Sequence, residues 1–589
     1  MKKFIIQVLA TIVGIVLLTS IVVFSLILIN IIAFIPSKFV VKDKSILEIN
    51  LNNSILESSN DREVPISLIN NVKHVYLKDI LDVINHAKTD DKIEGISLKL
   101  SNINAGYSQI AEIRQALLNF KESKKFIYSY SNECDQRSYY LSSVADSLYI
   151  NPNASIELAG LSAEVLFYKN LGQKFGVNFE VIRHGKYKSA VEPYLRDNLS
   201  VENRYQLKNL LQNFWNKISS DIISSRKITN ESLNKSVDSL YGFIPELAYK
   251  NKLVDRLIYE SQYDNLIKKR LGLSDEDSIN KISLEQYKEF TEDVSFINDK
   301  IAILYASGQI YTGKGDTEVY SKTFINLINE IKNNDDIKAV VLRVNSPGGS
   351  ANASAEILYE LYELKKKKPL IVSFSDIAAS GGYYISMAAD KIYAQDNTLT
   401  GSIGVLGMIP DVKKLANTIG ITSDYVSTNS NSNYYSITRG TSKGFKEIMN
   451  KGITITYNKF VNEVMKGRHM TYAQVDSVGQ GRIWSGRDAL EKGLVDEIGG
   501  FNEAIEYAAK KAGVTSYNLV SYPEEKTNWD LIVNMFTSDD NDDLNQSGII
   551  ENLIKYELGK DHYKLYQKIK NIESNQGIIY LMPYDVEIK

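Results

Sequence analysis

The chain has 589 residues, of which 44% are apolar and 24% charged, so it is long enough to form several packed domains. Its net charge of −3 provides no general positive field, which argues against nucleic acid as a partner. Its one cysteine, Cys134, excludes an intramolecular disulfide and a cysteine-rich zinc site. The five histidines are scattered and form no HExxH motif, so we expect no metal and no other cofactor.

The first element in the chain is an apolar run without any charged residue, over residues 4–35. About 20 helical residues cover the roughly 30 Å hydrocarbon core of a bilayer, so this run predicts an N-terminal transmembrane helix. A secretory signal peptide has a shorter apolar region, of about 7 to 15 residues, and a small-residue cleavage site, which is not evident here. We therefore predict that residues 1–44 form an uncleaved membrane anchor.

The orientation of this anchor is less clear from charge alone, because lysines stand on both sides of the run. Lys2 and Lys3 precede it, and Lys38, Lys42 and Lys44 follow it. A lone N-terminal anchor ahead of a large domain usually leaves that domain outside, so we expect the remaining chain on the outer side of the membrane.

The anchor is followed by two copies of one pattern. The stretch "IEGISLKLS" from Ile93 matches "IKAVVLRVN" from Ile337, and "YYLSSVADSLYI" from Tyr139 matches "YYISMAADKIYA" from Tyr383, both at an offset of 244 residues. A constant offset across the intervening chain is the signature of an internal repeat. We assign the first repeat to residues 45–295 and the second to residues 296–525.

Each repeat alternates β-branched runs with helical patterns, which predicts an α/β fold with parallel strands and helical crossovers. Beyond the second repeat the chain becomes polar and rich in Asp and Asn, as in "SDDNDDLNQSG". This composition predicts a flexible or peripheral C-terminal tail over residues 526–589.

The two copies differ at their small-residue turns. Ser380 stands before a glycine pair that begins with Gly381, whereas the offset places Gln136 opposite Ser380 in the first copy. The Pro-Gly-Gly loop containing Gly348 and Gly349 is also confined to the second copy. Glycine permits close backbone approach, which leaves N–H groups free to face a ligand. Either turn alone is equally consistent with ordinary turn chemistry.

The first copy has a segment of its own, "VIRHGKYKSAVEPYLRD", at residues 181–197. Within it, Lys188 lies as far after Gln136 as Ser432 lies after Ser380. A serine nucleophile needs a base, and lysine serves only when neutral. Lowering its pKa from about 10.4 to near 7 costs roughly 4 to 5 kcal/mol. Candidate causes are burial among apolar neighbours and repulsion from Arg183, Lys186 and Arg196. Most lysines in such a run are surface residues, but the matched positions favour a split serine–lysine pair.

Five strings together resemble the signal peptide peptidase A family, peptidase family S49, in its long, duplicated, membrane-anchored form. They are "SPGGS", "AASGGYY", "TGSIGV", "GKYKSAVEPYLRD" and "GLVDEIGG", and the resemblance spans about residues 45–520. It implies two tandem crotonase- or ClpP-like domains. It also implies a Ser/Lys dyad, with Ser380 as the nucleophile and Lys188 as the general base.

The same resemblance implies supporting roles for further residues. Ser402, in "TGSIGV", corresponds to the family's serine that orients the lysine. The backbone N–H groups of Gly349 and Gly381 are implied to form the oxyanion hole, and Gly348 to shape its loop. Hydrogen-bond donors in such a hole stabilise the charge that develops in the transition state.

The implied function is that of a membrane-anchored serine endopeptidase that degrades cleaved signal peptides and other hydrophobic peptides. The implied location is the bacterial inner membrane, with the catalytic domains on the periplasmic side. Members of the long form are expected to be homotetramers in which neighbouring protomers share each dyad.

Three alternatives stay open beside this interpretation. A crotonase-like acyl-CoA enzyme also holds an oxyanion with backbone N–H groups, but the predicted anchor and external domain argue against it. A non-catalytic assembly scaffold is disfavoured because both Ser380 and Lys188 are present. A Ser-His-Asp triad would need His469, which stands alone in "MKGRHMTYAQ".

Overall fold

The computed structural model describes Gly14 and residues 40–58, 75–291, 297–315, 318–524 and 579–581. Within these residues, no helix combines the length and the apolar character that a membrane span requires. The predicted span over residues 4–35 lies, apart from Gly14, outside the described residues.

The first half of the chain alternates strands and helices, as its sequence predicts. Its strands are β1 (Ser45–Ile49), β2 (Ile55–Leu56), β3 (Val75–Tyr76), β4 (Ile93–Lys99), β5 (Phe126–Ser131), β6 (Ser147–Ile150), β7 (Asn178–His184), β8 (Arg256–Leu257) and β9 (Lys281–Ser283). Its helices are α1 (Leu77–Thr89), α2 (Tyr107–Lys121), α3 (Gln136–Ser142), α4 (Lys169–Phe175), α5 (Glu192–Leu195), α6 (Val201–Arg226), α7 (Asn230–Asp238), α8 (Pro245–Lys250), α9 (Glu260–Leu271) and α10 (Leu284–Thr291). Six strands form a parallel sheet in the order β8-β6-β5-β4-β1-β9.

The second half repeats this arrangement. Its strands are β10 (Lys300–Ser307), β11 (Ile310–Tyr311), β12 (Val319–Tyr320), β13 (Ile337–Ser346), β14 (Gly348–Ser350), β15 (Leu370–Ala379), β16 (Lys391–Ala394), β17 (Leu399–Gly401), β18 (Val405–Asp411), β19 (Tyr435–Ser436), β20 (Gly440–Thr441), β21 (Ile483–Ser485), β22 (Glu497–Ile498), β23 (Asn518–Tyr522) and β24 (Ile579–Leu581). Its helices are α11 (Ser321–Asn333), α12 (Ala351–Lys365), α13 (Gly381–Ile385), α14 (Lys413–Thr418), α15 (Lys443–Arg468), α16 (Tyr472–Val478), α17 (Gly486–Glu491) and α18 (Phe501–Ala512).

The central sheet of the second half has the strand order β22-β16-β15-β13-β10-β23, which matches that of the first half strand for strand. Two further strands join this sheet at the C-terminal end of β15. Strand β17 pairs parallel with the last residues of β15, and β21 pairs antiparallel with β17. The predicted duplicated α/β fold with parallel sheets is therefore confirmed.

A third sheet joins the two halves, in the order β12-β11-β14-β24-β18-β7. Strand β7 of the first half pairs antiparallel with β18 of the second, from Asn178 opposite Asp411 to His184 opposite Val405. The loop that follows β7 belongs to the first half and, because of this pairing, lies against the second half. Strand β24 lies antiparallel to both β14 and β18, so Ile579–Leu581 of the predicted C-terminal tail belong to this sheet.

The alternation of side chains along β13 explains how the halves pack. Val340 and Leu342 face a core that is completed by α11, α12 and α15. Ala339 and Val341 point to the other side, into a core shared with α18 and with the first half of the chain. Arg343 continues this second series, so its side chain lies between the repeats, where it is wholly buried.

Arg343 is neutralised across the repeat boundary by an inter-repeat ion cluster, which consists of Arg343, Glu57 and Glu112. Its guanidinium donates to Glu57 Oε2 at 2.9 Å and to Glu112 Oε1 at 2.7 Å. Burial tends to raise the pKa of Glu57, but the charge of Arg343 and its hydrogen bonds hold that pKa below its ordinary value. For Glu112 burial prevails and raises the pKa to about 7. Breaking such a buried pair on one side typically costs about 3 to 5 kcal/mol.

Candidate active site

Ser380 lies at the sharp turn between β15 and α13, and it is completely buried. Its φ of +56° is unusual for a residue with a side chain, and its N–H donates to the Gly401 carbonyl at 2.8 Å. Such a conformation costs of order 1 to 3 kcal/mol and persists only where the surroundings enforce it. A strained turn from strand to helix is an arrangement that presents a nucleophile to its partners.

Lys188 comes from the first repeat and reaches this turn through the loop after β7. Its Nζ lies 2.8 Å from Ser380 Oγ, and its side chain is wholly buried. The lysine fits between two glycines of the second repeat. A Cβ atom on Gly481 would lie 2.6 Å from Lys188 Cβ, and one on Gly404 would lie 3.2 Å from Lys188 Cδ. At both positions a side chain would crowd Lys188, so glycine leaves the room that the lysine needs to reach Ser380.

Ser402 completes the surroundings of the amine. Lys188 Nζ lies 3.0 Å from Ser402 Oγ and 3.0 Å from the Ser402 carbonyl oxygen. The backbone of Ser402 has a φ of +50°, and its N–H donates to the Arg482 carbonyl at 2.7 Å. Together with Ser380, these groups give the amine three oxygen partners in the described part of the chain, and none of them is a carboxylate.

Burial without a compensating carboxylate lowers the pKa of Lys188 well below its ordinary value. The predicted repulsion from Arg183, Lys186 and Arg196 has no part in this shift. Arg183 instead donates to the Lys188 carbonyl at 3.0 Å, so it fixes the backbone. Burial thus favours the neutral form of the Lys188 amine.

The three glycines that were expected to form an oxyanion hole converge beside Ser380. Gly348 and Gly349 have φ angles of +99° and +157°, and a Cβ on Gly349 would lie 2.1 Å from the Ile310 carbonyl oxygen. A Cβ on Gly381 would lie 3.2 Å from Gly349 N and 3.1 Å from Gly348 Cα. The two backbone segments therefore touch each other, although their role as donors to an oxyanion stays a prediction.

The corresponding turn of the first repeat is occupied by its own side chain. Gln136 donates to Tyr107 Oη and to the Gly160 carbonyl, both at 3.0 Å. Its amide oxygen accepts from the N–H groups of Ala159 and Gly160, at 3.1 and 2.9 Å. Ser432, the positional counterpart of Lys188, is exposed on a loop. The first repeat thus supplies a lysine to the site of the second repeat, while its own turn is filled by glutamine.

The structure brings together the predicted residues Ser380, Lys188 and Ser402, whose catalytic roles stay predictions. The two glycines that receive the lysine, Gly404 and Gly481, were not among the predicted residues. The closely spaced glycines of "VGQGRIW" could have indicated a tight turn at Gly481, although not its contact with Lys188. His469 lies exposed at the C-terminal end of α15, whereas the amine in contact with Ser380 is that of Lys188.

Both members of the serine–lysine pair belong to one chain, so their contact needs no second protomer. The sharing of dyads between protomers, which the resemblance implied, is not required for this geometry. For an assembled oligomer it stays a prediction.

Comparison with known proteins gives matches in both repeats. The family described as peptidase family S49 matches residues 119–274 and 362–515, and the family described as Clp protease matches residues 293–410. The chain is 34% identical over 471 residues to Protease 4 of Salmonella typhi, covering 78% of this chain and 76% of that protein. Protease 4 of Haemophilus influenzae is also 34% identical, over 474 residues, with the same coverage of 78% and 76%. The chloroplastic serine protease SPPA of Arabidopsis thaliana is 31% identical over 446 residues, which cover 73% of this chain and 64% of that protein.

Proposed function

Because the chain belongs to peptidase family S49 and is a serine protease, we propose that Ser380 is its nucleophile and Lys188 its general base. The observation that carries this proposal is the 2.8 Å distance between Lys188 Nζ and Ser380 Oγ in a buried site. A base must lie within about 2.6 to 3.2 Å of the group whose proton it takes, and this pair meets that condition.

The contacts of the amine support this direction of proton transfer. A neutral primary amine has two N–H donors and one lone pair. The Ser402 carbonyl can only accept, and Ser402 Oγ can accept the second N–H, both at 3.0 Å. The lone pair is then left for the Ser380 hydroxyl, which donates to it. Ser402 thereby orients the lysine, as the resemblance implies.

The reaction then proceeds in two stages. Ser380 Oγ attacks the peptide carbonyl carbon while its proton passes to Lys188 Nζ, and a tetrahedral oxyanion forms. Lys188 returns the proton to the departing amine, which leaves an ester between Ser380 and the acyl part of the substrate. Water, deprotonated by Lys188, attacks this ester, and the second tetrahedral intermediate releases the acid as Ser380 regains its proton. The N–H groups of Gly349 and Gly381 stabilise both oxyanions, and losing one such donor typically costs about 3 to 4 kcal/mol.

A polypeptide in extended conformation is the substrate that the surrounding sheet favours. Strand β14 contains Gly348 and Gly349, β18 begins three residues after Ser402, and β24 lies between the two strands and pairs antiparallel with both. The edges of β14 and β18 thus accept an extended segment, and a peptide that binds there by strand addition would take the place of β24. Cleaved signal peptides and other hydrophobic peptides are the proposed substrates, because these are the substrates that the family resemblance implies.

We further propose that residues 4–35 anchor the chain in the bacterial inner membrane, with the catalytic repeats on the periplasmic side, and that the protein is a homotetramer. The uncharged run supports the anchor. In spheroplasts, protease added from outside should digest the catalytic repeats. In a separate sample, the undigested chain should stay with the membrane after an alkaline wash. Retention of the chain in a soluble fraction would contradict the anchor.

The decisive experiment measures labelling by a fluorophosphonate probe and cleavage of a leader-like peptide. Ser380→Ala should abolish both activities, and Lys188→Ala should lower each by several orders of magnitude because the hydroxyl loses its base. Two matched controls lie close by in the chain. Ser386→Ala removes another buried hydroxyl, from the 3-10 turn after α13, and Lys186→Ala removes a lysine two positions away. Labelling and cleavage that survive Ser380→Ala or Lys188→Ala would refute the proposed pair.

A further inference from the structure

The strand that carries Ser380 loses its regular pairing just before the nucleophile. Strand β15 pairs with β13 up to Phe374 and again from Ala378, with a register shift between these positions. On its other side it pairs with β16 up to Ser373 and with β17 from Ile377. Residues 375 and 376 consequently have no ladder partner on either side. A bulge of this kind bends a strand and redirects its side chains, so other contacts must fix where the strand ends.

Asp376 lies at this irregularity and binds the first repeat. Its Oδ1 accepts from the backbone N–H groups of Ser108 at 2.9 Å and of Gln109 at 3.4 Å, in the first turn of α2. Gly106, which precedes this helix of 15 residues, has no side chain that could cap it. A Cβ on Gly106 would lie 2.0 Å from Asp376 Cγ, so the carboxylate occupies the place of an N-cap side chain. A carboxylate at a helix N-terminus is stabilised by the free N–H groups and by the helix dipole.

This cap is not repeated at the positions that correspond to Gly106 and Asp376 in the other copy. At the position of the second repeat that corresponds to Gly106, Ser350 caps its own helix α12 by accepting the Ala353 N–H at 3.3 Å. At the position of the first repeat that corresponds to Asp376, Asn132 accepts from Tyr130 Oη within the same repeat, at 3.0 Å. At these two pairs of corresponding positions, only the second repeat places a carboxylate on a helix of the other repeat. The reverse connection uses a different position, because Glu112 of the first repeat accepts from the Phe501 N–H at the start of α18, at 2.7 Å.

We propose that Asp376 is a positioning residue for the reaction, which fixes the strand of Ser380 to the repeat that supplies Lys188. This inference rests on the proposed function of the pair. The distance from Lys188 Nζ to Ser380 Oγ spans two repeats, so it depends on how firmly the end of β15 is attached to the first repeat. Displacing reacting groups by about 1 Å can reduce a rate by about 100-fold.

The experiment separates positioning from helix capping. Asp376→Ala removes both functions, and we expect kcat for a leader-like peptide to fall about 10- to 100-fold while KM changes less than about twofold. The double variant Asp376→Ala/Gly106→Ser gives α2 a cap of its own, as Ser350 gives α12. It should regain the melting temperature that Asp376→Ala loses, while kcat stays low. Recovery of kcat together with the melting temperature would overturn the proposal, because Asp376 would then be a helix cap only.

A second variant keeps the test valid if Asp376→Ala does not fold. Gly106 has a φ of −77°, which alanine adopts without strain, so Gly106→Ala changes only the room left for the carboxylate. We expect it to displace Asp376 and to lower kcat about 10-fold or more. Wild-type kcat in this variant would overturn the proposal. Asp299→Ala, which removes a surface carboxylate that is 43% exposed, is the control and should retain wild-type kcat. If instead the Ser380→Ala variant cleaves the peptide as the wild type does, the proposed function itself is refuted.

Discussion

Replacing Gly481 by alanine tests how the lysine is held. The new Cβ would lie 2.6 Å from Lys188 Cβ and 2.7 Å from its Cα and N atoms, which belong to the backbone and cannot turn away. To restore an ordinary van der Waals contact of 3.4 Å, the two segments must separate by about 0.8 Å. The 2.8 Å contact between Lys188 Nζ and Ser380 Oγ has little tolerance for such a movement, because proton transfer needs a distance below about 3.2 Å. We therefore expect kcat to fall about 30- to 100-fold.

Gly493 provides a matched control for backbone strain. Gly481 has a φ of +81° and Gly493 a φ of +72°, but a Cβ on Gly493 would meet no atom within 4 Å. Alanine costs about 1 to 2 kcal/mol at either position because of the left-handed conformation. Both variants should lose this much stability, whereas only Gly481→Ala should also lose activity.

The assay combines the melting temperature, kcat and KM with a leader-like peptide, and the rate of fluorophosphonate labelling at Ser380. Gly481→Ala should label slowly while Gly493→Ala labels at the wild-type rate. Equal kcat values in the two variants would refute the reasoning, since the contact with Lys188 would then have no effect on the position of the amine.

Burial holds the pKa of Lys188 below its ordinary value, so kcat/KM should rise with pH and reach its plateau before about 10.4; a profile that rises only beyond that value would contradict a buried base. An unfolded lysine keeps its proton up to about pH 10.4, whereas the folded one releases it at a lower pH, so wild-type stability rises with pH between these two values. Lys188→Met should therefore melt at a higher temperature than the wild type at pH 7, and a difference that did not shrink towards pH 10 would speak against this linkage. Ser402→Ala removes one hydrogen bond worth about 0.5 to 1.5 kcal/mol and should lower kcat about 2- to 12-fold, whereas a change confined to KM would place Ser402 in substrate binding. Mixed Ser380→Ala and Lys188→Ala chains separate the two arrangements of the dyad: sites formed within one chain, as in the 2.8 Å contact of the structure, should regain no cleavage, whereas recovery in oligomers shown to contain both variants would establish sites shared between protomers.

Much of the fold could be predicted from the repeat itself. The constant offset of 244 residues pairs Ile93 with Ile337 and Tyr139 with Tyr383, and these pairs lie on corresponding strands and helices of the two sheets. The difference between the copies also singled out Ser380 as a candidate, because a turn that only one of two similar copies keeps is not required by the fold that both copies share. Strands, helices and turns depend mainly on residues that are close together in the sequence, so the sequence alone predicts them.

The contacts that complete the site were not predictable, because they join distant segments. Strand β7 leaves the sheet of its own repeat and pairs with β18, and no local pattern specifies that partner. The fit of Lys188 against Gly481 and the cap that Asp376 provides also join segments that are far apart in sequence. The tail prediction averaged a polar composition over residues 526–589 and thereby overlooked the apolar, β-prone "GIIYL" that contains β24.

The inter-repeat ion cluster sets a limit on how this enzyme can be divided. A gene split between the repeats would yield one half with Arg343 deprived of its counter-ions and another half with Glu57 and Glu112 facing an open apolar surface. Within its own half Arg343 donates to Ser373 Oγ, and Glu57 accepts from Gln109, both at 2.8 Å, but these neutral partners carry no opposite charge. We therefore expect the two repeats to be an obligate pair, each of which folds only beside the other.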